Sequence, residues 1–113
     1  MPESNNELEI SVQDVKRLQD QKAKLFLLDV RQPQEYEHVN IEGATLIPLP
    51  QLTARLSELE PHRNDLIVIH CHHGGRSMQA TMFLRQQGFT NVKNMTGGID
   101  AWSLQIDPSK PRY

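Results

Sequence analysis

Two uninterrupted apolar runs dominate the chain, Leu25-Phe26-Leu27-Leu28-Asp29-Val30 and Leu66-Ile67-Val68-Ile69-His70. Runs of this length without alternation read as strands covered on both faces. Elsewhere the apolar positions fall at helical spacing. Val12, Val15 and Leu18 follow Ser11, and Asp14 stands three residues beyond that serine, so a capped helix is expected over about 12–20. Gln32-Pro33 breaks the chain after the first strand, and Ala44 to Ile47 predicts a short strand closed by Pro48 and Pro50. Leu52, Leu56 and Leu59 predict a helix over 51–59, ended by Pro61. Ala80, Phe83 and Leu84 give a buried stripe to a helix running from Ser77 to Gln87. Asn91 to Asn94 is a weak strand, and Gly97-Gly98 opens a short last helix at Ile99 to Ser103. Strands alternating with helices define an α/β domain with a mainly parallel sheet. The polar segment 1–8 is expected to be frayed, leaving 9–113 as one domain.

Composition narrows the classes of function. Twelve basic and fourteen acidic residues give a net charge of −2, which argues against binding nucleic acid by bulk charge. Neither apolar run approaches the ~20 residues of a membrane span. The acidic, polar start Met1-Pro2-Glu3-Ser4 does not read as a secretory signal. One cysteine cannot close an internal disulfide, which fits a reducing compartment and a cytoplasmic setting.

That cysteine lies in His70-Cys71-His72-His73-Gly74-Gly75-Arg76-Ser77, between the second long strand and a helix. A strand, a glycine-containing loop and a helix N-terminus make an anion site, and a cysteine so placed is favoured as the reactive thiolate. Gly74 and Gly75 let the backbone curl so that amides of 72–77 face inward. Arg76 can fix an anion or brace the loop, and Ser77 is expected to cap the helix. Asp29 ends the other long strand, so both motifs are expected on one sheet edge, the functional edge of an open parallel sheet. The loop holds four residues between Cys71 and Arg76, whereas protein tyrosine phosphatases place five there. The shorter cradle suits one additional sulfur atom on the cysteine better than a tetrahedral phosphate.

From Leu28-Asp29-Val30-Arg31 onward the chain resembles a single-domain rhodanese, a sulfurtransferase. The resemblance continues through Glu35-Tyr36, Ile41-Glu42-Gly43-Ala44, Ile47-Pro48, the cysteine loop, Gly88-Phe89, Asn91-Val92 and Gly97-Gly98-Ile99-Asp100-Ala101-Trp102. It implies an open, mainly parallel sheet with helices on both faces. It also implies a persulfide on Cys71, drawn from thiosulfate or a similar donor and passed to cyanide, a thiol or a protein. The cradle would be the loop His72, His73, Gly74, Gly75 and Arg76, with Asp29, Arg31 and Ser77 in support. No cofactor is implied, and the domain is expected to act as a monomer. Val39-Asn40-Ile41 departs from the Gly-His-Ile found in many members. A relay module with poor small-molecule turnover is the main alternative, and a phosphatase or arsenate reductase the lesser one.

Plainer readings stand beside these. His70, His72 and His73 suggest a metal site, but neighbours on a tight loop do not converge on one ion, so no metal is expected. His72 and His73 are expected to line the mouth, where imidazole changes charge near neutral pH. For Asp29 the favoured role is structural. Arg31 either pairs with it or reaches the donor's anionic end. Glu35 is expected to meet a cation or cap a helix, and Phe89 and Trp102 to anchor the core.

Overall fold

The computed structural model describes residues 8–113. The segment expected to be frayed therefore lies, but for Leu8, outside the described residues. Strand β1 (Glu9–Ile10) leads into helix α1 (Val12–Asp20), and β2 (Leu25–Asp29) into α2 (Pro33–His38). After β3 (Thr45–Leu46) come two 3₁₀ segments, Leu49–Gln51 and Leu56–His62. Strand β4 (Leu66–His70), helix α3 (Gly75–Gln86), β5 (Val92–Met95) and α4 (Gly98–Gln105) complete the chain. The five strands form one parallel sheet in the order β1-β5-β4-β2-β3, with β4 in the middle.

Alternation along the buried strands divides the core in two. Ile67, Ile69 and Cys71 point to one face with Leu28, Val30, Leu59, Ala80 and Leu84. Val68 and Leu27 point to the other, with Val12, Val15, Ile99 and Trp102. Helices therefore cover both faces of the sheet, and both long apolar runs are buried as their patterns require. Cys71 continues the Ile67–Ile69 alternation one step past the strand and is 1% exposed.

Helix α1 begins as expected, with the Asp14 amide donating to Ser11 Oγ at 3.0 Å. The Asp14 carboxylate does not close a capping box; it accepts from Arg17 at 2.5 Å. The helix expected over 51–59 is not formed. Leu49 and Leu52 are three residues apart, as are Leu56 and Leu59, and three is the 3₁₀ period. Pro50 and Pro61 each remove a backbone donor there. Helix α2, unforeseen, starts at the very proline taken for a breaker, because proline at the first helical position loses no bond.

His70 is fully buried on β4, and neither ring nitrogen has a hydrogen-bond partner among the described residues. Its Nε2 lies 3.8 Å from Asp29 Oδ2. Burial, only partly offset by Asp29, pushes its pKa from 6.5 down to about 4. Between these values the unfolded chain binds the proton and the folded chain does not. Stability is therefore expected to fall as pH drops from 6.5 towards 4, by about 3 kcal/mol in full. Urea unfolding at about pH 7 and about pH 5 checks this, and His70→Gln should flatten the slope over that interval.

Candidate active site

The pairing of Asp29 with His70 in the β2–β4 register puts both strand ends on one edge, beneath the cysteine loop. Gly74, with φ of +124°, turns the loop into α3. Gly75 is already helical, so α3 starts two residues closer to the sulfur than expected. The Gly74 amide donates to Cys71 Sγ at 3.2 Å and the Ser77 amide at 3.3 Å. The Ser77 hydroxyl lies 3.4 Å from the same sulfur. Ser77 is therefore not the helix cap. Gly74 holds that position, and Ser77, in the first turn, sits against the Cys71 sulfur. Besides the amide of Ser77, those of Gly75 and Arg76 belong to the turn that has no partner within the helix.

The N-terminus of α4 holds the loop from behind. Ile99 N donates to Cys71 O at 2.9 Å, and Asp100 N donates to His72 O at 3.1 Å. Gly98 permits this approach: a Cβ there would lie 2.4 Å from His72 O and 2.6 Å from Cys71 O, at a φ of +62°. Gly98→Ala is expected to displace the loop, destabilise the fold by about 1–3 kcal/mol and slow alkylation of Cys71 at least tenfold. Thermal unfolding and iodoacetamide kinetics measure both effects.

Arg76 braces the loop. Its guanidinium makes a two-point pair with Glu35 on α2, at 2.7 and 3.0 Å. That pairing, more than the Gln32 amide at 2.9 Å, holds the Glu35 carboxyl down at about 2. Arg31 is 0% exposed and all its donors are engaged. Nε and Nη2 hold the Asp29 carboxylate at 2.7–3.1 Å, and Nη2 also reaches Val39 O at 2.7 Å. Nη1 reaches Glu35 O at 3.3 Å and the Tyr113 hydroxyl at 3.0 Å. No N–H is left over for a substrate anion, so Arg31 and Asp29 form the base of the site rather than its face.

Tyr113 was not singled out from the sequence, and no local pattern marks it. Its hydroxyl donates to Glu35 Oε2 at 2.7 Å, and its ring stacks on His72 at 3.9 Å. His38 meets the same ring edge-on at 5.7 Å, while Asn40 bonds back to Tyr36 O at 3.0 Å. His72 and His73 do line the loop, with ring centroids 3.8 Å apart. Asp100, a neighbour their spacing concealed, lies 3.6 Å from His73 Nε2. These three residues bring possible ligand atoms within 4.8 Å of one another. The two rings are tilted at 31° to one another, His72 is stacked on Tyr113, and Arg112 occupies the carboxylate at 2.8 and 3.2 Å.

A lone thiol at the C-terminal end of the central strand of a parallel sheet, with the amides of Gly74 and Ser77 turned to its sulfur, defines an α/β domain whose functional edge is set around one cysteine. Residues 11–105 match the family described as Rhodanese-like domain, and the chain belongs to that family. It is 43% identical over 94 residues to the Rhodanese-like/PpiC domain-containing protein 12, chloroplastic, of Arabidopsis thaliana, covering 77% of this chain and 30% of that protein. It is 40% identical over 95 residues to the putative sulfur carrier protein YrkF of Bacillus subtilis, covering 84% of this chain and 50% of that one. The chain thus spans half or less of these two relatives. The human single-domain sulfurtransferase TSTD1 superposes with a TM-score of 0.77 at 26% identity, covering 86% of this chain and 96% of that one. Among the described residues, no helix is long and apolar enough to cross a membrane.

Proposed function

We propose that this domain is a sulfurtransferase that carries sulfane sulfur as a persulfide on Cys71. The observation that carries the reading is the pair of amides, Gly74 and Ser77, aimed at Sγ from the first turn of α3 and the loop before it. They stabilise the thiolate, and the remaining first-turn amides of Gly75 and Arg76 offer donors to a second sulfur. The thiolate attacks the outer sulfur of thiosulfate or of a small persulfide. The donor's S–S bond breaks, its electron pair leaves on sulfite or a thiolate, and Cys71 holds –S–S⁻. Cyanide, a thiol or a protein thiolate then takes the outer sulfur and returns Cys71 to its thiolate. These steps require no metal or organic cofactor. A cysteine used as a free thiol suits a reducing compartment, here taken as the cytoplasm, and the domain is taken to act as a monomer.

A relay role, passing sulfur from one protein to another, is the second reading. What favours it is the description of the Bacillus subtilis relative as a putative sulfur carrier protein. The test is intact mass after brief exposure of the reduced protein to thiosulfate, with the gain mapped by peptide. One added sulfur atom on the Cys71 peptide supports the proposal, whereas no gain from either thiosulfate or glutathione persulfide overturns it. Rapid discharge of the loaded protein by small thiols would favour the enzyme over the relay.

A further inference from the structure

Asn94 on β5 is 4% exposed and reaches the nucleophile through one intermediate. Its Oδ1 is hydrogen-bonded to the Ser77 hydroxyl, whose oxygen lies 3.4 Å from Cys71 Sγ. The orientation of the amide is set from its other side. Nδ2 donates to the Glu9 carboxylate of β1 at 3.2 and 3.4 Å and to Gly74 O at 3.4 Å. Glu9 also accepts from Thr96 Oγ1 at 2.7 Å. A carboxylate only accepts, so the amide NH₂ must face Glu9 and the carbonyl must face Ser77. Ser77 is therefore the donor in that bond. A hydroxyl has one hydrogen, for which Gly74 O at 3.2 Å is a further acceptor, so while it serves Asn94 or Gly74 the sulfur sees a lone pair. A thiol can donate to that lone pair, whereas a thiolate or persulfide requires the hydrogen.

We propose that Asn94 is a positioning residue that sets the ionisation of Cys71 by competing with the sulfur for the Ser77 hydrogen. In the thiol state the order is Cys71 S–H to Ser77 Oγ, and Ser77 O–H to Asn94 Oδ1. When the thiol proton leaves to water, the Ser77 hydroxyl turns from Asn94 to the sulfur anion. Asn94 thus works against the two amides that stabilise the thiolate, and gives up its hydrogen bond when the anion forms. Other charged or titratable groups around the loop are Arg76 on α3 with its partner Glu35 on α2, His70 on β4, His72 and His73 in the loop, Asp100 on α4, and Tyr113. On the Asn94 side, the Glu9 carboxylate is the charged group that accepts from this network among the described residues.

The inference rests on Cys71 being the nucleophile, and alkylation separates the two questions because iodoacetamide needs a thiolate but no sulfur transfer. The experiment is the pH profile of Cys71 alkylation in the parent, Asn94→Leu, Ser77→Ala and the double variant. Asn94→Leu fills the site without an acceptor, so the midpoint is expected to fall by about 1 pH unit. In the Ser77→Ala background the same substitution is expected to move nothing. An unchanged midpoint in Asn94→Leu, or an equal fall with Ser77 removed, overturns the proposal. Should Asn94→Leu fail to fold by circular dichroism, Asn94→Ala is judged by the same two outcomes.

Discussion

Cys71→Ser is expected to take up no sulfur from thiosulfate or a persulfide and to lose all sulfur transfer, with its stability within about 1 kcal/mol of the parent. The two side chains are nearly the same size, and the oxygen meets the same donors, Gly74 N and Ser77 N. The packing on the Ile69 face therefore persists. The chemistry does not, because an alcohol is not ionised near neutral pH and forms no S–S bond. Intact mass after loading, a cyanide-acceptor assay and a urea titration report on all three points. Transfer at the parent rate would place the reacting group elsewhere, and this chain has no other cysteine to supply it.

The second large effect is on the fold. Arg31→Met is expected to destabilise the domain by about 3–5 kcal/mol, because it leaves the Asp29 carboxylate at 0% exposure without its counter-charge. It also removes the donors that hold Val39 O and Glu35 O, which position α2 and, through Glu35, Arg76. Combining it with Asp29→Asn is expected to recover part of the loss, since the stranded charge is gone while a side-chain oxygen remains for Arg31's own backbone N–H, the group Asp29 Oδ1 accepts at 3.0 Å. Urea midpoints of the two single variants and the double decide this. A double variant no more stable than Arg31→Met would mean that the lost donors, not the stranded charge, set the cost.

What could be read from the sequence followed the strength of each local signal. The runs at Leu25 and Leu66 are long and unbroken, so both central strands and their shared edge were legible, and with them the place of Cys71 and its loop between β4 and a helix. Strand β1 is two residues long, Glu9 and Ile10, and exists only through its pairing with β5. Helix α2 has no buried residue and so no apolar period to detect. The parts of the site that escaped are those made by register and long-range packing. Ser77 was read as the helix cap, whereas it lies in the first turn and touches the sulfur. Asn94 sits in a strand that pairs with β4, and its reach to Ser77 is a product of that pairing. Tyr113 meets His72 only because the chain after α4 returns across the loop. Glu35 was expected to find a cation, but the identity of that cation, Arg76, depends on where α2 packs.

The two carbonyls captured by α4 have a consequence for polarity. There are no cis peptide bonds among the described residues, so each of these peptide planes points its N–H opposite to its C=O. With Cys71 O and His72 O turned towards the α4 amides, the N–H groups of His72 and His73 must point away from α4. One helix thus fixes the dipoles of these two peptides in a single sense, their acceptors towards α4 and their donors away from it. Two hydrogen donors of the loop thus share one direction, a polarity that would favour the anionic sulfur species proposed above over cationic ones.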